Sequence, residues 1–247
     1  DNFPTQESLE NLFKHCTIKL MKKLSSLSAV FPAFNDSLSL PEIISKTSQL
    51  LPLLATGFEI IIVNDASLDK TQSVLEKLQS HFPFISIIKH QKNLGYGATL
   101  IDGFRKAKYD FIFYTDSDGQ YDVTELKNLA EAMDPQTDMV TGFKLNRSDS
   151  LIRRIMGSFY NRLIKMIFKL KVRDVDCDFR LFRRKILKNL ELKAMSGSFD
   201  AEFIKKMERK NVIIKEIPVH HYARKFGKSQ FFKLPNLLTT FWELTKI

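Results

Sequence analysis

The 247-residue chain is 44% hydrophobic and 27% charged, and 38 Lys and Arg against 28 Asp and Glu leave a formal net charge of +10. This balance fits a soluble globular protein, and the positive excess favours a polyanionic partner: nucleic acid, anionic lipid or a phosphorylated substrate. Two cysteines, Cys16 and Cys177, exclude a disulfide framework and fit a reducing compartment, and no uninterrupted apolar run reaches the ~18–20 residues of a membrane-spanning helix.

In chain order, the periodicity predicts a helix over Ser8–Lys23, although Met21-Lys22-Lys23 offers an alternative start that would make residues 1–20 an extension. No secretory signal is visible. LSAVFPAF (27–34) reads as a buried strand, and PEIISKTSQLL (41–51) as a helix with Pro41 in its first turn. FEIIIVND (58–65) is a continuous apolar strand of the kind parallel sheets require. Helix, strand, helix and strand follow at 71–82, 84–90, 98–107 and 110–116, then a helix at 123–133 and a strand at 138–142. This alternation predicts an α/β domain with a largely parallel central sheet flanked by helices. After 142 the rhythm changes. A basic amphipathic helix is expected over 150–170, a short extended segment at 178–184, a helix at 199–210 and a strand at 212–219. The expected organisation is an N-terminal helical extension (1–24), one α/β domain (25–232) and a C-terminal amphipathic helix (233–247).

In an open α/β sheet, ligands gather at the carboxyl ends of the strands. There the chain places Asn64-Asp65, the KNLGYGAT run (92–99) and FIFYTDSDGQYD (111–122). Asp116 and Asp118 are two residues apart, so extended backbone sets them on one side, and a small turn lets them converge on one cation. Mg²⁺ typically takes one or two carboxylates plus substrate phosphates. The competing reading is a solvated turn whose aspartates bond local amides. An EF-hand fits poorly, since loop position twelve would be Lys127. Asp65 at its strand tip is placed to meet a nucleotide base or ribose, whereas Ser67 and Asp69 read as helix caps. Gly95 and Gly97 permit a tight turn before a helix N-terminus, a candidate anion site, but Leu100 replaces the third glycine of a dinucleotide fingerprint. GKS (227–229) is not a P-loop, because Tyr222 stands where the earlier glycine belongs. Arg224, Lys225, Lys228 and Ser229 still suit phosphate binding, with a basic solvated loop as the alternative. The 150–170 helix carries Ile152, Ile155, Met156, Phe159, Leu163, Ile167 and Leu170 on one face, and Arg154, Arg162, Lys165 and Lys169 to another side. It suits an anionic membrane surface or, alternatively, a core-facing position. Adjacent His220 and His221 lack zinc-ligand neighbours and read as structural or substrate-edge residues.

Taken together, VFPAFND (30–36), IIVNDASLDKT (61–71), NLGYGAT (93–99), TDSDGQ (115–120), DVDCDFRLFRR (174–184) and EIPVHHYARKFGKS (216–229) resemble the family 2 glycosyltransferases of the GT-A fold. Within that family the chain looks most like the dolichyl-phosphate mannose synthase and polyprenyl-phosphate glycosyltransferase branch. The resemblance implies a nucleotide-sugar donor in a cleft at the strand ends. Pro32, Phe34, Asn35, Asp36 and Asp65 would frame the nucleoside, Asp36 standing where the family more often has Glu. Asp116 and Asp118 would be the metal-binding DxD pair, for Mg²⁺ or Mn²⁺, with Gln120 as a further ligand. Arg224 and Lys228 would belong to the late phosphate-binding loop. Arg154 and Ser158 would hold the acceptor's lipid phosphate, with Lys144 or Arg147 in place of another family arginine. Asp118, Arg154 and Arg224 would carry the catalytic burden.

The implied reaction is inverting transfer from a nucleotide sugar to a polyprenyl phosphate. A lipid phosphate is already ionised near neutral pH and needs no dedicated base, unlike a sugar hydroxyl. The expected location is cytoplasmic, peripherally on the cytoplasmic face of a membrane. There the tail FFKLPNLLTTFWELTKI (231–247) would lie in the interface with Trp242 as an anchor. The alternative within enzymes is transfer to a sugar or protein hydroxyl, with Asp200 or Glu202 as base. A noncatalytic nucleic-acid-binding module is the alternative from another class. It leaves the strand-tip carboxylates unexplained, since they repel phosphates, and no nucleic-acid partner is expected.

Overall fold

The computed structural model describes residues 24–145, 151–227 and 234–247. The helix expected over Ser8–Lys23 lies outside the described residues, as do Arg147 and Lys228. The elements run in order as β1 (Leu24–Ala33), α1 (Leu40–Leu54), β2 (Ala55–Asn64), α2 (Thr71–His81), β3 (Ile85–Lys89), α3 (Tyr96–Lys106), β4 (Phe111–Thr115), α4 (Leu126–Ala132), β5 (Met139–Leu145), α5 (Leu151–Phe168), β6 (Phe179–Arg183), α6 (Phe199–Arg209), β7 (Ile214–His220) and α7 (Leu234–Leu244). Pro41 sits in the first turn of α1, as expected. The helix expected over 123–133 begins instead as a 3₁₀ turn, Val123–Glu125, because Asp122 accepts a hydrogen bond from Thr124 N and tightens the chain there.

One seven-stranded sheet has the order β3-β2-β1-β4-β6-β5-β7. β1 pairs in parallel with β2 and β4, β2 with β3, and β5 with β7; β6 runs antiparallel between β4 and β5. The sheet is apolar on both faces because alternate residues of each central strand serve different cores. Leu27, Ala29 and Phe31 of β1 and Phe111 and Phe113 of β4 pack with α1, α2 and α4. Val30 of β1 and Ile112 and Tyr114 of β4 pack with α3 and α6. Continuing that alternation turns Asp116 toward the α3/α6 side.

β1, β2 and β4 all end at the same edge, and their following loops are cross-linked. Ser39 Oγ donates to Ser117 O at 2.6 Å, and Ser117 Oγ donates to Pro32 O. The loop after β4 is therefore tied to the loop after β1 by hydroxyls, which leaves the neighbouring carboxylates free for other work.

Candidate active site

The carboxylates of the β4 tip have three different fates. Asp122, as noted, caps the 3₁₀ turn. Asp118 is 5% exposed; one of its oxygens accepts from Gln120 N at 2.9 Å, closing a turn in which Gly119 has φ 78°, and the other is ion-paired to Arg224. Asp116 is held well above the ordinary carboxylate range, first by burial and then by the charges of Asp118 and Asp200. The repulsion legible in the sequence is thus present in the structure. Arg224 relieves part of it.

Arg224 lies 106 residues beyond Asp118, and main-chain pairing brings it there. Tyr222 N donates to Gln120 O at 2.8 Å, Gln120 Nε2 donates to Tyr222 O at 3.1 Å, and Tyr121 bridges His221. The segment after β7 is thereby stitched along the loop after β4. The Arg224 Nε is buried and has no hydrogen-bond partner among the described residues, so its guanidinium keeps a donor unspent there. His220 pairs with Glu125 Oε1 at 2.5 Å, and the buried His221 packs edge-on against Tyr121.

The residues expected to frame the nucleoside line the ends of β1 and β2. Asn35 adopts φ 60°, and its side-chain oxygen accepts from Leu68 N and Asp69 N at 2.8 and 3.3 Å. Asp36 accepts from Phe34 N at 3.0 Å, and burial, opposed by that bond and reinforced by Asp118, pushes its carboxyl up to about 6. A folded-state value above the unfolded one means that the folded chain binds the extra proton. Stability from this group is therefore full below the unfolded value near 4 and is lost as pH rises through 6. In nucleotide-free protein, Asp36→Asn is expected to raise stability at pH 7.5 by on the order of 2 kcal/mol and to leave it nearly unchanged at pH 4. Urea unfolding at the two pH values measures this; an equal effect at both would refute the assignment.

Asp65 already has partners within the protein. It is 4% exposed, and its oxygens accept from Leu94 N at 2.8 Å and Gly95 N at 2.9 Å and contact His90 Nδ1 at 2.7 Å. His90 in turn reaches Asp102 through Nε2 at 3.2 Å. Asp65 therefore builds the wall of the cleft by holding the turn before α3. The same bonds correct the anion-site reading of that turn: Gly97 N donates to Met195 O at 2.9 Å, so its amides are spent inside the protein. The glycines are required by crowding, since a Cβ on Gly95 or Gly97 would lie 2.3 or 2.1 Å from the carbonyl oxygen of Met195 or Ala194. Of the two expected caps, Asp69 accepts from Thr71 N at 2.9 Å, whereas Ser67 Oγ accepts from Asn35 N.

On the acceptor side, Lys144 and Ser158 line one cavity of about 400 Å³, together with Asn161, Arg162, Lys165 and Arg173. The Lys144 ammonium is bonded to Asp176 through its carbonyl and, at 3.4 Å, its carboxylate. α5 meets the core through Tyr160, Ile164 and Phe168, not through most of the apolar face expected from the sequence. Ile164 is buried, whereas Ile155, Met156, Phe159, Met166 and Ile167 are 61, 45, 68, 69 and 56% exposed. Glu202, one of the two bases considered for a hydroxyl acceptor, is spent: it accepts from Lys193 N and Ala194 N and pairs with Lys206 at 2.6 Å.

Residues of the DVDCDFRLFRR segment to which the sequence assigned no role complete the site. Arg180 is fully buried, bonded to Tyr114 Oη and Asp200, to Thr141 Oγ1 at 3.2 Å and to Val175 O at 2.6 Å. The signal for it is a charge within the apolar alternation of DFRLFRR, on the same strand face as Asp178. Among the described residues, Asp116, Asp118, Asp178 and Asp200 thus face two guanidiniums, Arg180 and Arg224.

Residues 28–191 match the family model described as glycosyl transferase family 2, about two thirds of the chain. The chain belongs to the family 2 glycosyltransferases. This glycosyltransferase is 30% identical, over 224 residues, to an undecaprenyl-phosphate 4-deoxy-4-formamido-L-arabinose transferase of Enterobacter sp. (strain 638), covering 88% of this chain and 67% of that one. Solved structures share its GT-A fold at low identity. A mannosyltransferase from Pyrobaculum calidifontis in complex with GDP-Man and Mn²⁺ superposes with a TM-score of 0.61 at 14% identity over 90% of this chain; the glycosyltransferase spans 64% of that chain. Glucosyl-3-phosphoglycerate synthase from Mycobacterium tuberculosis in complex with UDP gives 0.64 at 14% identity, covering 99% of this chain and 86% of that one. The same synthase in complex with Mn²⁺ and UDP-glucose gives 0.62 at 16%, covering 90% and 80%.

Proposed function

We propose that this glycosyltransferase moves a sugar from a nucleotide-diphosphate donor to a polyprenyl phosphate, with inversion and with a divalent metal, at a membrane surface. The observation that carries the donor half is the Asp116–Asp118–Arg224 constellation at the β4 tip. Asp118 already holds a cationic partner, and the excess of carboxylates over guanidiniums fits a divalent ion. Asp116 and Asp118 would hold it; Gln120 Nε2 is engaged, which leaves Oε1 as the atom of that side chain suited to a metal. Such an ion would neutralise the departing diphosphate. Arg224, with its unspent Nε, and Lys228 would bind the phosphate oxygens in the same role. Pro32, Phe34, Asn35 and Asp36 would frame the nucleoside, with Asp65 shaping the wall behind them.

The phosphate acceptor is favoured over a hydroxyl because the two bases considered from the sequence, Asp200 and Glu202, are committed. Glu202 caps backbone amides, and Asp200 is locked to Arg180 and Tyr114. A phosphate nucleophile needs neither. Lys144 and Ser158 meet at the cationic cavity, with Arg154 and Arg147 as further acceptor ligands. The exposed apolar side chains of α5, with Phe241 and Trp242 of α7 at 50 and 61% exposure, would rest on the membrane. Thr240 and Leu244 tie α7 to the protein. No helix among the described residues is long and apolar enough to cross a membrane. The cytoplasmic face is the proposed location.

A screen of UDP- and GDP-sugars with undecaprenyl or dolichyl phosphate, in Mg²⁺ or Mn²⁺, tests the reading; transfer to soluble glycans but not to the lipid phosphate would overturn it. Arg154→Ala is expected to raise the acceptor KM about tenfold or more, the loss of one charge-assisted contact. The donor KM should move by less than about twofold. Equal losses in both would remove Arg154 from the acceptor site.

A further inference from the structure

Asp178 stands apart from the other acidic side chains of the site. Asp118 has Arg224, Asp200 has Arg180, and Asp122 has an amide. Among the described residues nothing donates to Asp178 Oδ1, which is closed off from solvent. The residue as a whole stays partly accessible. Thr115 and Phe179 are partners across β4 and β6, so Asp116 and Asp178 fall on the next rung, side by side on the face that carries Tyr114 and Arg180. The Tyr96 phenol at the start of α3 is flanked by Asp116, Asp178 and Asp200.

A buried carboxylate with unspent oxygens costs free energy unless a donor satisfies it. A ligand phosphate does not, since it would meet like charge there. Hydroxyl or amine groups on an uncharged ring do, since an ionised carboxylate only accepts. Resting on the donor-site reading above, we infer that Asp178 is a specificity-determining residue that accepts hydrogen bonds from the hydroxyl or amino groups of the transferred sugar, beside the Asp116–Asp118 pair that takes the diphosphate. The missing hydrogen-bond donor at its Oδ1, among the described residues, is then the feature that makes it selective: a site built to accept from a sugar hydroxyl rejects an analogue lacking it.

The test is calorimetric titration of wild type, Asp178→Asn and Asp178→Ser with UDP, UDP-glucose, GDP and GDP-mannose in Mn²⁺. In both variants the ratio of Kd for the sugar conjugate to Kd for its bare diphosphate is expected to rise about tenfold or more, the loss of a hydrogen bond to a charged group. Kd for the bare diphosphate should stay within about twofold. Thermal midpoints should hold or rise in Asp178→Asn, because one repelling charge is removed. An unchanged ratio, or an equal weakening of diphosphate and conjugate, overturns the inference while leaving the donor site standing. Failure of wild type to bind any of the four would sink the donor-site reading and the inference with it.

Discussion

Asp118→Asn is expected to lower kcat/KM for sugar transfer about a thousandfold or more while leaving the fold intact. The side chain keeps its shape and its oxygen can still accept from Gln120 N, so the turn at Gly119 survives. The loss is of charge. A neutral amide neither holds a divalent ion nor balances Arg224, and withdrawing several kcal/mol of electrostatic stabilisation from a leaving diphosphate is worth about three powers of ten. Release of nucleoside diphosphate, with circular dichroism as the control for folding, measures it. Turnover within about twofold of wild type would remove Asp118 from the proposed metal site.

Arg180→Met is expected to be the most destabilising single change in the chain. Arg180 is fully buried, and its guanidinium is divided among Asp200, Tyr114, Thr141 and the Val175 carbonyl. Removing it leaves Asp200 buried without its cation beside Asp178 and Asp116, and breaking a buried pair costs about 3–5 kcal/mol. In a chain of this size that lowers the midpoint by roughly 10 °C. Asp200→Asn should cost less, since Arg180 keeps Asp178 nearby as a counter-charge. A midpoint for Arg180→Met within about 2 °C of wild type would contradict the burial argument.

The two predictions separate chemistry from support. Asp118 lies at the proposed donor site, whereas Arg180 is buried and bonded to Tyr114 and Asp200. The double apolar replacement Arg180→Met with Asp200→Leu is expected to recover part of the lost stability, because it removes both members of a desolvated pair.

The alternation of apolar segments between 27 and 142 already determined a parallel α/β sheet, since a strand apolar at every position needs cover on both faces. The acidic pair at 116 and 118 was legible because crowded carboxylates at the end of an apolar run repel one another unless a cation offsets them. Tertiary structure alone decided the rest. Arg224 reaches Asp118 through pairing between segments a hundred residues apart, which no local pattern encodes. Asp65 turns inward because His90 and two amides converge on it, and Glu202 is withdrawn from chemistry by the loop it caps. Asp178 and Arg180 read as ordinary charges of a short strand until β6 inserts antiparallel beside β4 and sets them against Asp116. Periodicity reports which side of an element is buried; which partner waits there depends on strand order, and strand order is settled only when distant segments pack.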